Sequence, residues 1–310
     1  MKILTSDVQI REPSVLTIGN FDGVHAGHRM LISKTKEIAL CDSLQSVVFS
    51  FSPHPFEVIG EPGFKRILTE REKRAVIETL SPDVLVEYPF TPGFSRIGPL
   101  EFVRYIIVER CHAKKLVIGE GCRFGRGKSG DAALLRRLGE EYGFEVIIIP
   151  PLSFGGKKIS SSEIRRMILE KEFTQAENLL HSHYFVSGTV LRGKKNGRKL
   201  GFPTANLKPP ENKLLPPDGV YATRIFVEGM AHDGITNIGK KPTFNAGERT
   251  IETYIFDFDK TIYGEHIRLE FFEFMREEIK FGSAGELVGQ LNRDVELRRK
   301  IIRTVQIHDR

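Results

Sequence analysis

A chain of 310 residues, 40% hydrophobic and 28% charged, is long enough for two separate cores and has the make-up of an ordinary water-soluble globular protein. The net charge of +6 is mild for this length and suits sites for phosphorylated small molecules as well as it suits nucleic acid. Cys41, Cys111 and Cys122 are odd in number and show no CxxC spacing, which excludes a disulfide framework or zinc ribbon and favours a reducing cytosol.

The N-terminal "MKILTSDVQIREP" has no apolar core of a signal segment, and no apolar run approaches the ~18 residues of a membrane span. The expected class is soluble, cytoplasmic and two-domain. Apolar runs then predict strands at Val15–Gly19, Val47–Phe51, Val84–Glu87, Leu116–Gly119 and Glu145–Ile149. Helical patterns lie between them, near Met30–Leu40, Arg71–Leu80, Leu100–Cys111 and Asp131–Tyr142. Strand–helix alternation predicts an α/β domain with a Rossmann-like parallel sheet, whose ligands bind beyond the carboxyl ends of the strands.

After about residue 184 the pattern changes. "FVSGTVLRG", "GVYATRIFVEG", "AHDGITNIG", "TIETYIFDFD" and "HIRLEFFEF" are short β-like runs punctuated by Gly and Pro. They predict a small antiparallel β-barrel, closed by a terminal helix with Leu287, Leu291 and Val295 on one face. The expected boundary near "LLHSHYF" divides the chain into residues 1–183 and 184–310.

Four stretches carry chemistry. In "TIGNFDGVHAGHRMLI" a strand runs through a glycine turn into a helix, with His25 and His28 three apart on one helix face. Gly27 between them permits close backbone approach, and a helix N-terminus flanked by imidazoles is an anion site. Zinc needs further ligands and only Asp22 is near; plain capping histidines are the alternative. In "GGKKISSSEIRRMI", Ser160 and Glu163 fit a capping box, but three hydroxyls, two lysines and two arginines exceed what a cap needs and suit a polyphosphate. "GRGKSG" resembles a nucleotide P-loop, yet Cys122 stands where its first glycine belongs, so the stretch reads as a basic, glycine-rich flap. In "GKKNGRKLGFPTANL" a Gly/Lys-rich loop precedes Thr204 and Asn206, neutral oxygen ligands suited to Mg²⁺ beside phosphate; a capped Pro turn is the alternative.

Taken together, "GNFDGVHAGH", "ISSSEIR", "FSFSPHPFE", "CRFGRGKSGD", "GRKLGFPTANL", "LPPDGVYA" and "TNIGKKPTF" resemble, in order, the motifs of bifunctional bacterial riboflavin kinase/FAD synthetases, and the resemblance covers essentially the whole chain. It implies phosphorylation of riboflavin by ATP to FMN, then adenylylation of FMN by ATP to FAD and pyrophosphate. In the first half it implies that His25 and His28 stabilise charge on the α-phosphate. Gly19, Asn20, Phe21, Asp22, Gly23, Ser160, Ser161 and Arg165 then bind ATP, and Pro53, His54 and Pro55 flavin. A bound polyphosphate is expected to favour protonated His25 and His28. In the second half it implies phosphate binding by Gly193, Gly197 and Arg198, Mg²⁺ on Thr204 and Asn206, flavin at Asn237, and Glu252 as general base. Riboflavin, FMN, FAD and ATP are the expected partners, with no nucleic acid or membrane and a monomer or weak oligomer.

Some residues depart from the family pattern. Ser162 replaces the usual Thr, Tyr254 a frequent His, and Gly121 and Cys122 a polar or acidic residue followed by Phe. The last pair puts flavin contacts from that loop in question. "IFDFDKTIYG" imitates the nucleophile loop of an aspartate-dependent phosphatase, but only 46 residues follow Gly264, too few for such a domain. Asp257 and Asp259 are therefore expected to be scaffold or solvent-facing carboxylates. Nucleic-acid binding would lean on the pI near 9.1 and 22 Phe, which sit mostly in apolar strand patterns, with no RNP-like strand.

Overall fold

The computed structural model describes residues 1–5, 8–60, 63–193, 197, 200–240 and 249–308, with side chains as far as residue 301. Arg198 lies outside the described residues. The chain divides into two compact units, Met1–Ser161 and Ser162–Arg310.

The first unit is a six-stranded parallel sheet in the order β1-β4-β3-β2-β5-β6. The strands are β1 (Lys2–Leu4), β2 (Ser14–Ile18), β3 (Gln45–Ser52), β4 (Val84–Pro89), β5 (Ala113–Gly119) and β6 (Glu145–Ile149). Sequence reading missed only β1, a short, largely exposed edge strand with no apolar pattern to betray it. Central β2 is covered on both faces, which is why it reads as a near-continuous apolar run. On one side Leu16, Phe49, Val86, Leu116 and Ile118 join Phe102, Ile106 and Leu135 in the main core. On the other, Val15 and Val117 pack with Ala39.

The helices begin and end where the residues provide caps. His25 caps α1 (Ala26–Asp42), and Thr69 with Glu72 makes a reciprocal capping box for α3 (Glu70–Thr79), downstream of the one-turn α2 (Pro55–Val58). The segment read as a helix near Leu100–Cys111 starts as α4 (Pro99–Phe102) and continues as π-helix over Val103–Arg110. Asp131 caps α5 (Ala132–Tyr142), which stops at Gly143 in the left-handed region at φ 76°. The chain runs β2→β3→β4 in one direction across the sheet and β5→β6 in the other, so its switch point lies between β2 and β5. A small hairpin, β7 (Ser153–Phe154) and β8 (Lys157–Lys158), follows β6.

The second unit begins within α6 (Ser161–Leu169), and α6 and α7 (Phe173–Leu180) precede a closed six-stranded antiparallel barrel, ordered β10-β13-β12-β11-β14-β9. Its strands are β9 (Tyr184–Leu191), β10 (Thr204–Leu207), β11 (Gly219–Val227), β12 (Met230–Lys240), β13 (Arg249–Ile255) and β14 (His266–Arg276). Helix α7 packs on β14 and β9, which is why the compact units part at Ser161 rather than at 183. Barrel-facing positions alternate along the strands: Leu207, Ile238 and Ile251 are buried, and Thr223, Thr236 and Thr253 form a buried chain of hydroxyl hydrogen bonds, each of 2.9 Å. Helix α8 (Ala284–His308) is strapped to the barrel by Arg276, whose Nε and Nη2 donate to Asp294, and by Arg298, which donates to Asp233 and the Thr223 carbonyl.

Candidate active sites

In the first unit a cavity of about 730 Å³ opens at the switch point. The β2 end (Ile18–Phe21) and the β5 end (Ile118, Gly119) form its floor, and His28, Phe51, Pro55, Phe94, Phe124, Lys128 and Lys158 stand in its walls. His25 backs His28 rather than facing the cavity. Its Nδ1 accepts from the His28 backbone N–H at 3.3 Å, and the two rings stack with centroids 3.6 Å apart. A Cβ at Gly27 would lie 3.3 Å from the His25 ring, so the glycine of the HxGH spacing makes room for the stack. Phe21 meets His28 edge-on and requires Gly19 beneath it in turn. Phe21 (φ 50°) and Gly23 (φ 85°) carry the left-handed backbone of the turn.

Burial shapes the electrostatics. The His25 imidazole is lowered to about 4 by desolvation, and His28 is driven well below its ordinary value by desolvation, then by the His25 and Lys73 charges. Both rings are therefore neutral in the ligand-free site near pH 7, and His28 Nδ1 is buried with no hydrogen-bond partner among the described residues. Protonation, expected from sequence, has to come with an anionic ligand.

Asp22 has a structural task within the turn. Its buried carboxylate accepts from the backbone N–H groups of Ile67 (3.0 Å) and Leu68 (3.3 Å), so it pins that loop. Its carbonyl accepts from the Oγ of Ser161, the last residue of the first unit, at 2.8 Å. Arg165 lies one turn further along α6. Of the residues expected at flavin, Pro55 lines the cavity. His54 instead caps α2 and stacks on Phe64 at 4.5 Å, and Pro53 is exposed outside the lining. The aromatic wall of Phe51, Phe90, Phe94, Phe102 and Phe124 was missed, because phenylalanines at strand ends look the same in sequence as core phenylalanines.

The barrel carries two cavities with common walls. One, of about 290 Å³, is lined by Gly193, Pro203–Asn206 and Phe258–Tyr263. The other, of about 300 Å³, is lined by Phe202, Asn237, Glu252 and Tyr254 together with Leu287, Leu291 and Val295 of α8. Thr204 and Gly197 border both. Register explains the grouping: Glu252 pairs directly with Asn206 on one side and with Asn237 on the other, and Thr204 pairs with Tyr254, so all five share the outer face of three adjacent strands. Gly193 lies so close to Asn206 that a Cβ would be 2.7 Å from its Nδ2. Asn206 Nδ2 donates to the Thr204 carbonyl at 3.3 Å and Asn237 Nδ2 to Glu278 at 3.0 Å. Asp257 and Asp259 lie in the turn beyond β13 and both are exposed, with Asp259 at the rim of the smaller cavity.

Comparison with known proteins decides the family. Residues 7–163 match the family model for FAD synthetase and residues 180–302 that for riboflavin kinase. The chain belongs to the bifunctional riboflavin kinase/FMN adenylyltransferase family. Curated members of that family include one from Buchnera aphidicola (Schizaphis graminum), 35% identical over 94% of this chain and 95% of its own length, and one from Listeria monocytogenes, 36% identical over 94% and 93%. A crystal structure from Streptococcus pneumoniae, described as a macrolide-efflux protein, superposes with a TM-score of 0.87 at 31% identity over 96% of this chain and 99% of that one. Among the described residues no helix is long and apolar enough to cross a membrane. The family's two-domain pattern is matched here by two structural units, each with its own polar centre.

Proposed function

We propose that this protein makes FMN and then FAD. The observation that carries the reading is that each unit holds its own cavity with its own reactive side chain, His28 in one and Glu252 in the other. Residues 184–310 carry the kinase. ATP lies in the smaller cavity against the Gly193 loop and β10, where Arg198 is also expected, and riboflavin lies between the barrel and α8 beside Asn237. Glu252 accepts the proton of the ribityl hydroxyl as its oxygen attacks the γ-phosphorus, and ADP leaves. Thr204, on the border of both cavities, stands where such a transfer would pass.

Thr204 and Asn206 offer two neutral side-chain oxygens on one strand face, and the Asn206 amide nitrogen donates to the Thr204 carbonyl. No group of three or more His, Cys, Asp or Glu among the described residues is arranged to hold a metal. A Mg²⁺ fits this pair as an ion that takes its remaining ligands from phosphate and water, and when bound it neutralises charge on the transferring phosphate.

Residues 1–183 carry the adenylyltransferase. An FMN phosphate oxygen attacks the α-phosphorus of ATP and pyrophosphate leaves. Gly19, Asn20, Phe21 and Gly23 shape the nucleotide turn, His28 donates to the α-phosphate with His25 behind it, and Ser160, Ser161 and Arg165 take the outer phosphates. The aromatic wall and Pro55 receive the flavin ring. The reactions need no nucleic acid or membrane, and the free cysteines suit a reducing cytoplasm; a monomer or weak oligomer is the assembly we propose. Incubation with riboflavin, ATP and Mg²⁺ should yield both FMN and FAD; FMN alone would contradict the adenylyltransferase half of the reading.

A further inference from the structure

Behind the histidine pair lies a buried ammonium that none of the motifs includes. Lys73, on α3, is 5% exposed. Its Nζ donates to Ser50 Oγ at 2.9 Å and to the Phe51 carbonyl at 3.1 Å, both at the carboxyl end of β3. Ser50 Oγ lies 3.3 Å from the Asn20 carbonyl in the histidine turn. Glu70 holds Lys73 at 2.9 Å from the other side, and Arg66 bridges Glu70 at 2.6 Å and Glu57 at 2.7 Å. A solvated surface lysine has no need of such a cage, and a purely structural core position is more cheaply filled by an apolar side chain.

We propose that Lys73 is a positioning residue for adenylyl transfer: it ties the end of β3 to the Gly19–Gly23 turn and sets a fixed positive charge behind His28, against which the ATP polyphosphate is received. Two carboxylates balance the two cations of the cage, but Glu70 is shared between Arg66 and Lys73, and it is Lys73 whose charge acts on His28. The other titratable groups around His28 are His25 in the stack, Asp22 turned to the Ile67 loop, and Cys122, Arg123, Lys128 and Lys158 around the cavity. The ligand-free site thus has neutral imidazoles with the Lys73 ammonium, inside a charge-balanced cage, behind them. Polyphosphate entry reverses the balance at His28, so nucleotide binding draws a proton from solvent.

This inference rests on the adenylyltransferase reading, and the experiment separates the two. Wild-type protein must first convert FMN and ATP to FAD; no FAD would sink the reading itself. Calorimetry of a non-hydrolysable ATP analogue binding to the wild type, in buffers of different ionisation enthalpy at pH 7.5, should then show net proton uptake. In parallel, kcat/KM for ATP is followed against pH. Lys73→Met should lower it about tenfold and move its alkaline limb upward by about one unit, since removing a nearby positive charge makes His28 easier to protonate. Lys73→Arg should restore the limb. Active wild type without proton uptake, or a folded Lys73→Met with an unmoved pH profile, would overturn the proposal. If Lys73→Met fails to fold, Lys73→Gln, which keeps a donor to Ser50 and removes the charge, is put to the same pH profile, and an unmoved limb there would overturn the proposal.

Discussion

At the scale of single residues the first site is built by exclusion of space. Gly27 gives the imidazole stack its room, because a Cβ there would stand 3.3 Å from the His25 ring and push it. Gly27→Ala should therefore lower FAD formation from FMN by about ten- to a hundredfold through misplacement of His28, with FMN formation from riboflavin unchanged; unaltered FAD turnover would show the stack to be dispensable. The His25/His28 spacing was legible in the sequence because residues three apart at a helix start share a face. The commitment of Asp22 to the Ile67 and Leu68 amides was not, because a contact across 45 residues leaves no local periodicity.

At the scale of elements, alternation decided what could be read. Every central strand of the sheet and five of the six barrel strands stand within a few residues of the apolar runs that announced them; β10, behind the Gly/Lys-rich loop, has no such run. The Leu287, Leu291 and Val295 stripe read as one face of the terminal helix is the wall of the cavity holding Glu252. The π-helical turn at Val103–Arg110 was hidden, because its apolar spacing also fits an α-helix. Inside the barrel the Thr223–Thr236–Thr253 chain replaces apolar packing. Thr236→Val strips the central hydroxyl and leaves two buried partners short, a loss of about 1–3 kcal/mol. On heating, FMN formation should fail at a lower temperature than in the wild type, while FAD formation from added FMN keeps its own midpoint; coincident wild-type midpoints for both would contradict that.

At the scale of the whole molecule, pH acts on the first unit through its histidines. The His25 imidazole sits at about 4 in the fold against an ordinary 6.5. Its neutral, buried state therefore contributes full stability above 6.5, and that stability drains away as pH falls towards 4, by about 3 kcal/mol. His28, lowered for the same first reason, adds to the loss. Chemical denaturation at pH 7.5 and 5 should show the adenylyltransferase unit weakened at the lower pH, and His25→Gln should flatten that dependence.

The central claim is that two chemistries belong to two separate centres in one chain, and one experiment tests it most directly. Wild type, His28→Ala and Glu252→Gln are each given riboflavin, ATP and Mg²⁺, and a second sample is given FMN and ATP, with the flavins separated chromatographically. Wild type should make FMN and FAD. His28→Ala should accumulate FMN and make no FAD from either start, while Glu252→Gln should leave riboflavin unconverted yet turn added FMN into FAD. Parallel loss of both products in either variant, or kinase turnover within a few-fold of wild type in Glu252→Gln, would contradict the account.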